Sequence, residues 1–89
     1  MYNFRMSKEL DRVLNKLLKK NKPLFEQVMH KINEIISSAD IEHYKNLRHD
    51  MKDLKRVHIG HFVLTFKFDK NQNLILFDDF DHHDNIYQK

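Results

Sequence analysis

No cysteine occurs in the 89-residue chain. A disulfide framework, a thiolate metal centre and a cysteine nucleophile are therefore excluded. That absence fits a reducing compartment. No apolar run is long enough to span a bilayer, and Met1-Tyr2-Asn3-Phe4-Arg5 lacks the character of a signal peptide. The expected address is the cytoplasm, with no membrane partner. Internal repeats and low-complexity segments are missing as well. Glycine and proline occur once each, so both read as boundary markers.

What is present suffices for a small folded domain. Forty per cent of the residues are apolar and seven are phenylalanine, enough for a core and too many for a disordered chain. The expectation is a single domain over residues 1–89, with little room for a large cavity. The net charge of +3 is modest, but its distribution is uneven. Lys45, Arg48, Lys52, Lys55, Arg56 and Lys67 crowd the middle against Asp50 and Asp53. A basic stretch of this kind suits a polyanion such as nucleic acid, or simply a solvated lysine-rich surface.

The apolar spacing sets out the elements. Tyr2 and Phe4 alternate with polar neighbours, as in a short strand. Ser7 is placed to cap a helix with Leu10, Val13, Leu14, Leu17 and Leu18 on one face. Lys19-Lys20-Asn21-Lys22 breaks it. Pro23 suits the first turn of a second helix striped by Leu24, Val28, Ile32, Ile35 and Ile36. Residues 40–53 read as an irregular connection. Leu54–Ile59, His61–Phe68 and Leu74–Phe80 read as a three-stranded meander turning at Gly60. A turn at Gly60-His61 pairs Ile59 with Phe62 on the core face and sets His58 opposite Val63 on the other. The fold class is α+β, in the order β-α-α-β-β-β: two antiparallel helices on a mainly antiparallel sheet, then a short C-terminal tail.

The chemistry gathers at the end of that meander. Asp78-Asp79-Phe80-Asp81-His82-His83-Asp84-Asn85-Ile86-Tyr87 holds two histidines, four aspartates and a tyrosine. Imidazole exchanges protons near neutral pH, and carboxylates orient it and favour its charged form. Arg56 and His58 point to one face because strand side chains alternate. If the last strand lies near the first of the meander, His58, His61, His83 and Tyr87 converge, with Arg48, Lys52, Lys55 and Arg56 as candidate RNA-binding cations. The set suits cleavage of RNA through its own 2′-hydroxyl. A base removes the 2′ proton, an acid protonates the leaving 5′ oxygen, and fixed cations stabilise the phosphate charge. Such chemistry needs no metal and no small-molecule cofactor. His82 is expected to face the core or a backbone partner. Asp81-His82-His83-Asp84 with His58 or His61 is the alternative, a divalent-metal site, although the spacing lacks a defined ligand motif.

The element order, the run Leu54-Lys55-Arg56-Val57-His58-Ile59-Gly60-His61-Phe62-Val63-Leu64-Thr65-Phe66 and the ending His82-His83-Asp84-Asn85-Ile86-Tyr87 resemble the RelE/ParE superfamily. These are small toxins of type II toxin–antitoxin pairs, many of them ribosome-dependent mRNA endonucleases. The family's glycine–aromatic–arginine pattern falls on Gly60-His61-Phe62-Val63, so Val63 stands where arginine is usual. Its closing His-Arg-x-x-x-Tyr pattern falls on residues 82–87, with His83 replacing arginine. A histidine-rich branch resembling YafQ carries histidines on the meander's first strand and after its last. His58 and His83 match those positions and Tyr87 matches an aromatic. The resemblance implies a cognate antitoxin and ribosome-bound mRNA as partners. The two missing arginines leave a second implication open, a ParE-like toxin or binding module that acts on a protein without cleaving RNA.

Overall fold

The computed structural model describes residues 1–47 and 54–88. Strand β1 (Asn3–Met6) leads into helices α1 (Lys8–Lys20) and α2 (Lys22–Ile36). A single 3₁₀ turn at Ile41–His43 precedes strands β2 (Leu54–Ile59), β3 (Phe62–Asp69) and β4 (Leu74–His82). The sequence-predicted order is observed, with one addition: the tail is a short helix, α3 (His83–Gln88). The sheet runs β1-β4-β3-β2, parallel only between β1 and β4.

Each helix starts where the sequence expects. The Ser7 hydroxyl accepts the Leu10 N–H at 3.0 Å, so Ser7 caps α1. The same hydroxyl donates to the Asp78 carbonyl, and the Ser7 N–H donates to Phe77 at 2.9 Å. One residue thus ends β1, starts α1 and ties both to β4. Asn21 caps α2 through its side chain, and Pro23 sits in the first turn. Leu10 and Leu14 of α1 and Val28, Ile32, Ile35 and Ile36 of α2 are buried against Ile59, Leu64, Phe66, Ile75, Phe77 and Phe80 of the sheet. Each such side chain contributes roughly 1.5–3 kcal/mol by leaving water. Leu18, expected on the α1 stripe, is instead 47% exposed. It lies in the last turn of α1, where Leu17 and not Leu18 packs against the core. Ile41, within the stretch read as irregular, is buried and completes this core.

Gly60 has φ +62°, and a β-carbon there would meet nothing within 4 Å. Backbone conformation, not space, selects glycine at this turn. The hairpin register follows as expected: Ile59 opposite Phe62, His58 opposite Val63, Arg56 opposite Thr65. β3 begins at Phe62 rather than His61, and β4 runs two residues past Phe80.

One feature of β4 breaks the simple alternation. Phe77 and Phe80 are both buried in the same core although they are three residues apart. A strand with period two would send them to opposite faces. The register shifts between Thr65 and Phe66, so Thr65 pairs with Asp79, Phe66 pairs with Phe77, and Asp78 is the extra residue of a bulge. Past the bulge, Asp79 and Asp81 lie on the outer face, opposite Thr65 and Val63.

That outer face carries a second, smaller core. Val63, Leu47 and Ile86 are buried together, with Leu54 and Tyr87 packed against them. The residues after β4 therefore do more than trail from the sheet, because Ile86 anchors α3 across β3.

Candidate active site

β4 is not the neighbour of β2, since β3 lies between them. The histidines of the two strands meet by another route. The chain turns from β4 directly into α3, the His83 N–H donates to the His61 carbonyl at 2.9 Å, and Ile86 covers Val63. α3 thereby carries His83 over the end of β3 to His58. Their rings stack with centroids 5.7 Å apart and planes at 26°. Tyr87 is one helical turn beyond His83, and its ring lies 4.6 Å from that of His83. His58, His83 and Tyr87 thus form one continuous row of rings on the outer face.

His61 does not join this row. It sits at the Gly60 turn and stacks on His82, with centroids 6.3 Å apart. His82 meets Phe62 edge-on at 5.7 Å, and its Nδ1 accepts the Asp84 N–H at 3.2 Å. The four histidines form two pairs, His58 with His83 and His61 with His82. The expectation that His82 takes a backbone partner matches this bond.

The electrostatics distinguish the members of the row. The His58 pKa is lowered by the burial its ring has, and further by the nearby Arg56 and His83. Its neutral imidazole is the favoured form, as a proton acceptor requires. His83 has a half-exposed side chain, and its Nδ1 lies 3.5 Å from an Asp84 carboxylate oxygen. Asp79 and Asp81 are turned to local partners. Asp79 accepts the Phe80 N–H, and Asp81 accepts the His82 N–H and the Asn85 side-chain amide.

The candidate cations divide. Arg56 shares the outer face with His58 and lies near enough to depress its pKa. The Arg56 Nε is buried and has no hydrogen-bond partner among the described residues. Lys55 belongs to the opposite face by alternation, and its ammonium donates to the Tyr44 carbonyl at 3.1 Å. Arg48 and Lys52 lie outside the described residues. Val63, at the position where the superfamily usually has arginine, forms the buried floor under α3. Among the described residues no group of three or more His, Asp or Glu is arranged to hold a metal ion.

No family model matches the sequence. A protein of Methanocaldococcus jannaschii named "Putative toxin RelE4" is 47% identical over 90 residues, covering 100% of this chain and 94% of the relative. Among solved structures, the RelBE toxin–antitoxin complex of E. coli contains a chain that superposes with a TM-score of 0.75 at 17% identity, covering 92% of this chain and 96% of that one. YafQ of E. coli superposes with a TM-score of 0.63 at 14% identity, covering 98% and 99%. The structural likenesses establish the fold.

Proposed function

Because the chain belongs to the RelE family of toxins, we propose that it is the toxin of a toxin–antitoxin pair and cleaves mRNA at the ribosome. The observation that carries this reading is the pairing of His58 and His83 on an exposed face beside Arg56. Two imidazoles with centroids 5.7 Å apart can each reach one apical oxygen of a single phosphoryl group, over hydrogen bonds of roughly 3 Å. His58, held neutral, takes the proton of the 2′-hydroxyl. The 2′ oxygen attacks phosphorus, the bond from phosphorus to the 5′ oxygen breaks, and His83 supplies that oxygen with a proton. Arg56 offsets the charge gathering on the phosphate. Tyr87 packs on His83 and orients it. The products are a 2′,3′-cyclic phosphate and a 5′-hydroxyl, and the proton balance closes without a metal. The whole chain, residues 1–89, acts as one domain in this scheme.

The RelBE complex pairs a toxin of this fold with its antitoxin. The basic region Tyr44–Lys67 supports a similar partner here, an antitoxin that lays an acidic, amphipathic segment on that region. The decisive test is mRNA cleavage on translating ribosomes by wild type and by His83→Gln, with end-group analysis of the products. Glutamine keeps size and polarity but cannot titrate, so the rate should fall by a factor on the order of 10²–10⁴. A folded His83→Gln protein that cuts at the wild-type rate would overturn this site. Growth arrest by a wild type that cuts no RNA on ribosomes would replace the reading with a toxin acting on a protein target.

A further inference from the structure

β4 passes into α3 with no intervening loop, since His82 ends the strand and His83 begins the helix. Such an abrupt change leaves the first helical N–H groups in need of acceptors, which serine, threonine, aspartate or asparagine ordinarily provides. Here His82 occupies that position. Its Nδ1 accepts the Asp84 N–H at 3.2 Å. Asp81 secures the same turn by accepting the His82 N–H at 2.7 Å and the Asn85 side-chain amide at 3.1 Å. The imidazole is itself held edge-on to Phe62 and stacked on His61.

We propose that His82 is the helix cap that positions His83: its neutral ring, with the proton on Nε2, fixes where α3 starts and so where the neighbouring imidazole stands. The geometry demands this tautomer, because a nitrogen that accepts the Asp84 N–H cannot carry a proton of its own. Among the described residues, the titratable groups against the ring are His61 at the β2–β3 turn and Asp84 on α3, Asp81 on β4 bonds the His82 backbone N–H, and Phe62 on β3 is apolar. An imidazolium would set N–H against N–H, and its Nδ1 would turn to the Asp84 carboxylate, 3.7 Å away. The two adjacent histidines thus divide their work. In that scheme His83 serves the phosphate, and His82 is a positioning residue that acts through α3 and not on the substrate. The inference rests on the reading that His83 acts in cleavage.

Two variants test it, read by amide exchange in α3 and by mRNA cleavage. His82→Asn places its side-chain oxygen where Nδ1 stands and does not titrate. His82→Leu keeps bulk against Phe62 and removes the acceptor. In His82→Leu, the amides of Asp84 through Tyr87 should exchange roughly five- to tenfold faster, and cleavage should slow by a similar factor. His82→Asn should stay near wild type in both, and nitrogen shifts of the wild-type ring should show Nδ1 bare and Nε2 protonated. Equal impairment of both variants, or wild-type exchange in His82→Leu, would overturn the capping role. If His82→Leu cut slowly while α3 exchanged normally, the ring would belong to the chemistry and the proposal would fall. If the exchange pattern held while no form cut RNA, the cap would stand and the nuclease reading would fall alone.

Discussion

Replacing Ile86 with alanine should release α3 without unfolding the domain. Ile86 is 3% exposed and rests on Val63, itself fully buried, beside Leu47. A six-residue helix has almost no stability of its own, so this contact and the turn around His82 must hold α3 in place. Buried isoleucine-to-alanine changes cost about 2–5 kcal/mol, and a peripheral cluster that can collapse sits at the low end. A loss of about 2–3 kcal/mol shifts the opening equilibrium of α3 by roughly 30- to 160-fold. The main core uses none of these atoms, because Ile86 packs on the opposite face of the sheet. Amides of α3 should therefore lose protection while those of Ile32 and Phe66 keep most of theirs. The His58–His83 pairing disperses with α3, and cleavage should fall by about tenfold or more. Hydrogen exchange with residue resolution, run beside the mRNA cleavage assay, reads both effects. Wild-type protection in α3 of Ile86→Ala would refute the claim that this small core positions His83. Equal loss of protection across both cores would refute the separation of α3 from the rest.

Three further outcomes follow from the same contacts. Because burial, Arg56 and His83 lower the His58 pKa, the unfolded chain takes up this proton first. Its contribution to stability is then complete above about pH 6.5 and declines as pH drops toward the lower folded value. The acidic limb of cleavage should correspondingly have its midpoint below about pH 6.5, and a pH–rate profile of wild type with that limb at or above this value would contradict it. Ser7→Ala removes the α1 cap and the hydroxyl bond to Asp78 together, and should cost about 1–2 kcal/mol, seen as a lower Tm with the cleavage mechanism intact. Arg56→Gln should weaken cleavage strongly while Lys55→Gln does little, since only Arg56 shares the face of His58, and comparable losses in both would count against that assignment.

The hairpin shows how far local information reaches. One glycine at positive φ sets the turn, and alternation then assigns Arg56 and His58 to the outer face and Val57 and Ile59 to the core. Ser7 and Pro23 mark helix starts for reasons contained in a few neighbouring residues. These features were legible because caps, turns and periodicity act within a few residues. The resemblance carried by residues 54–66 and 82–87 identified the family on similarly short patterns.

The site drew on contacts between distant parts of the chain. Phe77 and Phe80 share a core only because Asp78 bulges out, and at that bulge Ser7, far away in the sequence, meets the Phe77 and Asp78 carbonyls. Nothing local in Leu74–Phe80 reports it. The tail, too short and too polar to read as a helix by itself, becomes one because Val63 and Leu47 offer Ile86 a buried seat. The sequence grouped His58, His61 and His83 with Tyr87 as one candidate set and set His82 apart. Tertiary packing sorted them into His58 with His83 and His61 with His82, because α3 crosses β3 on one face while His82 remains beside Phe62 on the other. Side-chain type and spacing were enough to predict the strands and helices and to nominate imidazole chemistry. Which imidazoles meet depended on the crossing of α3, and that crossing is set by burial between residues that the sequence keeps apart.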